Sequence, residues 1–341
     1  MSQNPALKKA LMLSRNIDLA DLTGGIMSQP TQHVLLIAPV MDALQQQLDT
    51  HYTVHRLYQH SDAVAWLADN GAQIGAVVTR GDIGVTTAVL ENLPQVGVIA
   101  IFGVGTDAVD LEYARRRDIA VTITAGALTD DVADLAFGLL LSSARQLCQG
   151  DRFVREGRWL KESSALATQV SCKRIGIFGM GNIGRAIARR ASGFDMEIYY
   201  TDRKVDSSLP YHWCEDVLSL ASNSDFFIVA VSGGKASYGI VNRQVFEALP
   251  KHALVINIAR GSIINEQDLI TALQNGDISG AGLDVFANEP NVPSALIEMD
   301  NVVLQPHVAS ATHETRQRMS NIVFENVQAY FNGQILPHRM N

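Results

Sequence analysis

Three side chains suited to acid–base and anion chemistry stand at or just beyond the ends of apolar runs. Arg260 ends "ALVINIAR", His307 ends "VVLQPH", and Glu289 follows Asp284 within "GAGLDVFANE". An arginine there can grip a carboxylate through two parallel donors and polarise a neighbouring carbonyl. Histidine titrates where a proton can be handed to a nascent alkoxide, and a glutamate beside it favours the imidazolium form. That set suits hydride transfer to a 2-keto acid, with a cofactor carrying the hydride while the protein orients and polarises. Taken singly, each residue has a plainer reading: a surface arginine, a loop histidine after proline, a solvated turn acid. Their joint placement after successive strands favours the chemical one.

The cofactor has its own signal. In "RIGIFGMGNIGRAIARRASGF" Gly179, Gly181 and Gly184 form G-x-G-x-x-G, with Met180, Asn182 and Ile183 between them. The pattern alone is weak, since a tight strand–helix turn without a ligand produces it too. Here an apolar strand precedes it, a helix follows, and the next strand ends in an acid. The glycines permit a tight turn, a close pyrophosphate and close helix–strand packing, and the helix N-terminus offers amides to the phosphates. Asp202 in "YYTDRK" stands where a carboxylate reads the adenosine ribose and repels a 2′-phosphate, which favours NAD(H). Arg203 and Lys204 follow at once, and a guanidinium there can hold that phosphate, which favours NADP(H). Both cofactors stay open.

The elements around these residues are α/β. Between residues 33 and 124, "HVLLIAP", "TVHRLY", "IGAVVTR", "VGVIAIFG" and "IAVTIT" read as strands, alternating with segments of helical spacing such as "MDALQQQLDT" and "DLEYARRRD". Residues 129–157 give one long helical pattern, with Thr129 or Asp130 able to cap its start. A second series follows: "KRIGIFGM", "EIYYTDR", "DFFIVAVS", "ALVINIAR", "GAGLDVF" and "VVLQPH". Near-continuous apolar strands alternating with helices imply parallel sheets covered on both faces. The expectation is therefore two Rossmann-like or flavodoxin-like βα domains with a cleft between them, similar in layout but without a sequence repeat. "SATHETRQRMSNIVFENVQAYFNG" reads as an amphipathic helix returning to the first domain. The expected division is a discontinuous substrate domain, 1–128 plus 310–341, and a dinucleotide-binding domain, 129–309. In such sheets ligands lie beyond the carboxyl ends of the strands, which brings Arg260, Asp284, Glu289 and His307 to one cleft.

Composition narrows the partners. The chain has 341 residues, is 47% hydrophobic and 18% charged, and carries a formal net charge of −8. It shows no dense basic patch of the kind nucleic acid requires, and "YARRRDIA" reads as a solvated helix end. Cys148, Cys172 and Cys214 are sparse and odd in number, which argues for a reducing compartment rather than a disulfide framework. No apolar run is long enough for a membrane span, and "MSQNPALKKALMLSRNIDLADLTGGIMSQPTQ" has no signal-peptide core, so a cytoplasmic enzyme without membrane attachment is expected. Within that segment "ALKKALMLSR" has helical spacing, and nothing in it tells its role. No metal is called for.

The motifs "FGVGTDAVD", "LTDDVADLAFGLLL", "GMGNIG", "NIARGSIINEQDL", "GAGLDVFANEP" and "QPHVASAT" occur in this order. Over roughly residues 75 to 335 the chain resembles the D-isomer-specific 2-hydroxyacid dehydrogenases, with most similarity to the glyoxylate/hydroxypyruvate and hydroxyphenylpyruvate reductases. The resemblance implies that Arg260 binds and polarises the substrate, His307 is the acid/base and Glu289 its carboxylate partner. It implies that the amides of Val104 and Gly105 receive the substrate carboxylate. It sets Asp284 on the nicotinamide side of the cofactor, with Ser232, Ile258 and Ala309 also against it. A homodimer built on the nucleotide domains, hinge closure and the D-stereochemistry are inherited in the same way. The chain departs from the pattern in "SGGKAS" after "FIVAV", where a Pro-Leu-Thr-like turn is usual. Asn265 stands for an aspartate and Ala309 for a glycine.

The function expected is reduction of small 2-keto acids, glyoxylate and hydroxypyruvate first, by NADH or NADPH. A dehydrogenase for phosphoglycerate or an aromatic lactate is the alternative within the class, and Glu289 argues against a formate dehydrogenase. Outside the class stands a dinucleotide-sensing, corepressor-like binding protein, because fold alone does not fix function. Arg80 and Trp159 are candidates to shape the pocket, although Trp159 reads somewhat better as a hinge or interface aromatic.

Overall fold

The computed structural model describes residues 32–341. The helix expected in "ALKKALMLSR" lies outside the described residues.

The first sheet contains β1 (His33–Leu36), β2 (Thr53–Arg56), β3 (Ile74–Arg80), β4 (Val98–Phe102) and β5 (Ala120–Thr122), all parallel, in the order β2-β1-β3-β4-β5. Its helices are α1 (Asp42–His51), α2 (Ala63–Asn70), α3 (Thr87–Glu91) and α4 (Leu111–Arg116). Strand alternation sorts its side chains cleanly. Val34, Leu36, Ala76 and Val78 join one buried cluster, while Leu35, Val77, Ile99 and Val121 join another on the opposite face. Both faces are apolar, as a parallel sheet covered on both sides requires. Each fully buried aliphatic side chain there contributes about 1.5–3 kcal/mol.

From β5 the chain runs into α5 (Thr129–Ala144) and α6 (Leu147–Arg155). The single long helix expected over 129–157 is therefore two. Gln146 takes a left-handed backbone conformation with φ 52°, which cannot continue the right-handed ladder. The expected caps differ as well. Leu128 precedes the first turn without a side-chain cap, and Thr129 is already helical. Asp130 instead faces Arg189 and Arg190, and Asp134 also pairs with Arg190.

The second sheet contains β6 (Arg174–Phe178), β7 (Glu197–Thr201), β8 (His212–Trp213), β9 (Phe226–Val229), β10 (Leu254–Asn257), β11 (Gly280–Leu283) and β12 (Val302–Leu304). It is parallel throughout, in the order β12-β11-β10-β9-β6-β7-β8. Its connections carry α7 (Asn182–Ser192), α8 (Val217–Ser222), α9 (Arg243–Ala248), α10 (Glu266–Asn275) and α11 (Ser294–Ile297). The order reverses between β6 and β9, and that switch point is where an open α/β sheet binds its ligand. The edge strand β8 escapes sequence patterning because two residues hold no period.

The last helix, α12 (His313–Phe331), returns to the first sheet and packs on β4 and α1. Beyond it Met340 N–H donates to Val121 O at 2.9 Å, and Asn341 Nδ2 donates to Ile119 O at 2.9 Å, so the chain end lines the β5 edge. The two sheets thus form two α/β domains joined by two chain crossings. Among the described residues no helix is long and apolar enough to cross a membrane.

Candidate active site

The glycine turn leaves β6 at the switch point. Gly179 has φ +103°, and a Cβ there would come 2.6 Å from Val231 backbone atoms, so neither the conformation nor the space admits a side chain. A Cβ at Gly181 would meet nothing within 4 Å. Gly181 also precedes α7 without any side-chain cap, leaving the first-turn amides to an external acceptor. Open space facing uncapped helix amides fits a dinucleotide pyrophosphate. Met180 is buried, Ile183 half-buried and Asn182 exposed around this turn.

Asp202 lies just past β7 and is held by backbone. Its Oδ2 accepts Met180 N–H at 2.8 Å and its Oδ1 accepts Arg203 N–H at 2.7 Å. The carboxylate is thereby fixed against the glycine turn, where the adenosine ribose of a dinucleotide lies. Arg203 and Lys204 are exposed beside it. Arg185 of α7, a third cation here, is paired with Asp206 at 2.7 Å.

Three consecutive strand ends build the chemical centre. After β10, buried Asn257 braces the turn by donating to Arg260 O at 3.0 Å and accepting Ala259 N–H at 3.1 Å. Gly261 lies so close to the loop after β11 that a Cβ would stand 1.9 Å from Phe286 C. Asn265 caps α10 by accepting Asp268 N–H at 3.2 Å, a task asparagine performs as well as aspartate. After β11, Glu289 Oε1 accepts Phe286 N–H at 3.0 Å and Oε2 lies 2.7 Å from His307 Nδ1. Burial alone would raise the Glu289 carboxyl. The His307 hydrogen bond, the Phe286 N–H and the charges of His307 and Arg260 outweigh burial and hold it below its ordinary value. With Nδ1 engaged by the carboxylate, Nε2 is the imidazole nitrogen left to face a reacting group.

His307 itself takes the left-handed region, φ 54°, which costs a non-glycine residue about 1–3 kcal/mol. Asp284 holds it there. Its carbonyl accepts His307 N–H at 2.8 Å, and its carboxylate accepts Val308 N–H at 2.8 Å and Ala309 N–H at 3.0 Å. The Asp284 side chain is fully buried; burial pushes its carboxyl up, and the two amides with the His307 charge offset only part of that. Sequence reasoning set Asp284 against the cofactor, and the structure places both of its oxygens beneath the histidine turn. Ile258 and Ala309 are buried beside these turns. Ser232 O accepts the Ser237 hydroxyl at 2.7 Å, closing the atypical "SGGKAS" turn on itself.

The first domain meets this centre through the loop after β4. Arg260 Nη2 lies over Gly105, where a Cβ would come within 1.7 Å, and Arg260 Nε stands 3.4 Å from Asp107 Oδ2. Val104 is half-buried in the same loop. At the neighbouring strand end Arg80 is bonded to Asp82 through Nε at 3.0 Å and through Nη2. Burial would raise the Asp82 carboxyl, but Arg80 and the nearby charge of His307 hold it below its ordinary value. Arg316 of α12 lies over the Phe102 ring at 5.5 Å. Trp159, in contrast, is 71% exposed in a 3₁₀ turn after α6. Asp107, Asn257, Asp82 and Arg316 had no sequence signal beyond their polarity. "GVGTDAVD" drew attention to its glycines, and the aspartate inside it is recognisable only once the two domains face each other.

A dinucleotide turn at a switch point, with Arg260, Glu289 and His307 on adjacent strand ends, defines the class: a two-domain, dinucleotide-dependent α/β protein. Residues 137–309 match the family model described as "D-isomer specific 2-hydroxyacid dehydrogenase, NAD binding domain". The chain is 40% identical over 303 residues to the 2-ketogluconate reductase of Gluconobacter oxydans, covering 89% of this chain and 96% of that protein. It is 41% identical to the hydroxyphenylpyruvate reductase of Plectranthus scutellarioides, over 89% and 97%. Among solved structures, an NADPH-dependent glyoxylate/hydroxypyruvate reductase from Sinorhizobium meliloti, in complex with NADP and malonate, superposes with TM-score 0.85. It is 37% identical, with 91% of this chain and 96% of that chain covered. The chain belongs to the D-isomer-specific 2-hydroxyacid dehydrogenase family. It is an oxidoreductase that uses NAD(H) or NADP(H).

Proposed function

We propose that the protein reduces small 2-keto acids, with glyoxylate and hydroxypyruvate as the principal substrates, to the D-2-hydroxy acids. The observation that carries the reading is the arrangement of Arg260, which reaches across to Gly105 while its neighbours Glu289 and His307 form a pair 2.7 Å apart. Arg260 and the amides of Val104 and Gly105 take the substrate carboxylate, and the guanidinium polarises the carbonyl beside it. A dinucleotide held by the Gly179–Gly184 turn and Asp202 would supply the hydride that the carbonyl carbon accepts. His307 donates the proton from Nε2 to the carbonyl oxygen, and Glu289 stabilises the imidazolium before that transfer. The relatives named above act on 2-ketogluconate, hydroxyphenylpyruvate, and glyoxylate or hydroxypyruvate. What these substrates share is the 2-keto carboxylate, the part this set of residues addresses.

In this reading the substrate domain, expected over 1–128 with 310–341, comprises residues 33–128 with 310–341 among those described, and 129–309 form the dinucleotide domain, in a cytoplasmic homodimer. Leu147, Val154, Trp159, Leu160 and Leu166 are each more than half exposed along α6 and the segment after it. A run of exposed large apolar side chains of this kind suits coverage by a second copy.

The test is initial-rate reduction of glyoxylate, hydroxypyruvate, pyruvate and phenylpyruvate, each with NADH and with NADPH. Turnover led by one of the first two supports the assignment. No turnover on any acid, with both dinucleotides shown to bind, overturns it.

A further inference from the structure

Arg260 does not stand free in the cleft. Its Nε is 3.4 Å from the Asp107 carboxylate, and the two side chains are 22% and 28% exposed. Two glycines leave room for the pair. A Cβ at Gly105 would come 1.7 Å from Arg260 Nη2 and 3.0 Å from Asp107 Oδ1. A Cβ at Gly233, in the atypical "SGGKAS" turn, would come 2.8 Å from Arg260 Cγ and 3.3 Å from the Asp107 carboxyl carbon. Arg260 Nη1 is committed to Ala259 O at 2.7 Å.

The contact is one of charge rather than of alignment. Arg260 Nε is buried and, among the described residues, has no hydrogen-bond partner, although the carboxylate lies next to it. An aligned, bidentate pair would orient the guanidinium; a close but misaligned one chiefly offsets its charge. A substrate carboxylate docking on Arg260 therefore meets a second carboxylate already facing the same cation.

We infer that Asp107 is a resident competitor for Arg260, a positioning residue that weakens the hold on the substrate and product carboxylates. The inference rests on the reading that Arg260 binds the carboxylate of a 2-keto acid. Because Asp107 belongs to the first domain and Arg260 to the second, the same pair also ties the two walls of the cleft together.

The test compares wild type, Asp107→Asn, Asp107→Glu and Arg260→Ala, each loaded with dinucleotide. It reads the inhibition constant of oxamate, which presents a carboxylate beside a carbonyl, and KM for glyoxylate. Removing the charge without changing the shape should lower both constants in Asp107→Asn, by about three- to tenfold for a partly exposed pair. Asp107→Glu, which keeps the charge, should show no such fall in either constant, and Arg260→Ala should lose oxamate binding. Damage to the loop would raise both constants, so their fall separates competition from support. Unchanged or weaker binding in Asp107→Asn, with the wild type binding oxamate, overturns the inference alone. A wild type that neither binds oxamate nor reduces glyoxylate overturns the substrate reading and the inference with it.

Discussion

Glu289 joins His307 to the backbone of the preceding strand end: one carboxylate oxygen is 2.7 Å from His307 Nδ1, and the other accepts Phe286 N–H at 3.0 Å. The carboxylate is thus fixed in place as well as in charge. Because its carboxyl is held below the ordinary 4.5, it stays ionised throughout the range in which an imidazole titrates. The stability it contributes is present above 4.5 and is lost as pH falls through the lowered value.

Glu289→Gln keeps the shape and removes the charge. Loss of the neighbouring anion should lower kcat for reduction about tenfold, which corresponds to about 1.4 kcal/mol of lost charge stabilisation. Initial rates at saturating keto acid measure it. An unchanged kcat would remove Glu289 from the proton-transfer pair.

Asp284→Asn tests the support under the histidine. An amide offers one acceptor oxygen where the carboxylate offers two, so one of the amides of Val308 and Ala309 loses its partner in a fully buried place. The cost should be about 1–3 kcal/mol of stability. Thermal unfolding should shift downward, and kcat should drop about tenfold or more as the left-handed turn relaxes. Stability and kcat both unchanged would leave the turn to other bonds.

Asp202→Ser addresses cofactor choice. The carboxylate is pinned by two amides, so it cannot swing away from a 2′-phosphate, while Arg203 is exposed beside it. Replacing it should raise the NADPH/NADH ratio of kcat/KM about tenfold or more, a charge effect of about 1.4 kcal/mol. A ratio that does not move would assign the choice to Arg203.

Gly233→Ala inserts a methyl group 2.8 Å from Arg260 Cγ. Displacement of the guanidinium should raise KM for the keto acid several-fold, while KM for the dinucleotide changes little. Equal effects on both would place the turn's role at the cofactor.

The chemical groups were legible because residue type and strand-end position are both local properties. Arg260, Glu289 and His307 could be picked out from the runs that precede them, and the two sheets from the alternation of apolar strands with helices. What stayed hidden depends on distant partners. Nothing in "GLDVF" says that Asp284 will meet the amides of Val308 and Ala309, and nothing in "GTDAVD" says that Asp107 will face an arginine from the other sheet. The break between α5 and α6 is hidden for a different reason. Gln146 carries no glycine-like mark of a left-handed residue, so helical spacing runs through the position where the helix ends.

The chain passes between the two sheets twice, once ahead of α5 and once between His307 and α12. Thr312 of the second passage hydrogen-bonds Asp131 at the start of α5, so the two passages lie side by side. A body hung from one thread can swing and twist freely, whereas one hung from two adjacent pins turns about the line through them. Two adjacent passages would confine any relative rotation of the two sheets to the line through them, an axis about which Gly105 and Asp107 keep facing Arg260.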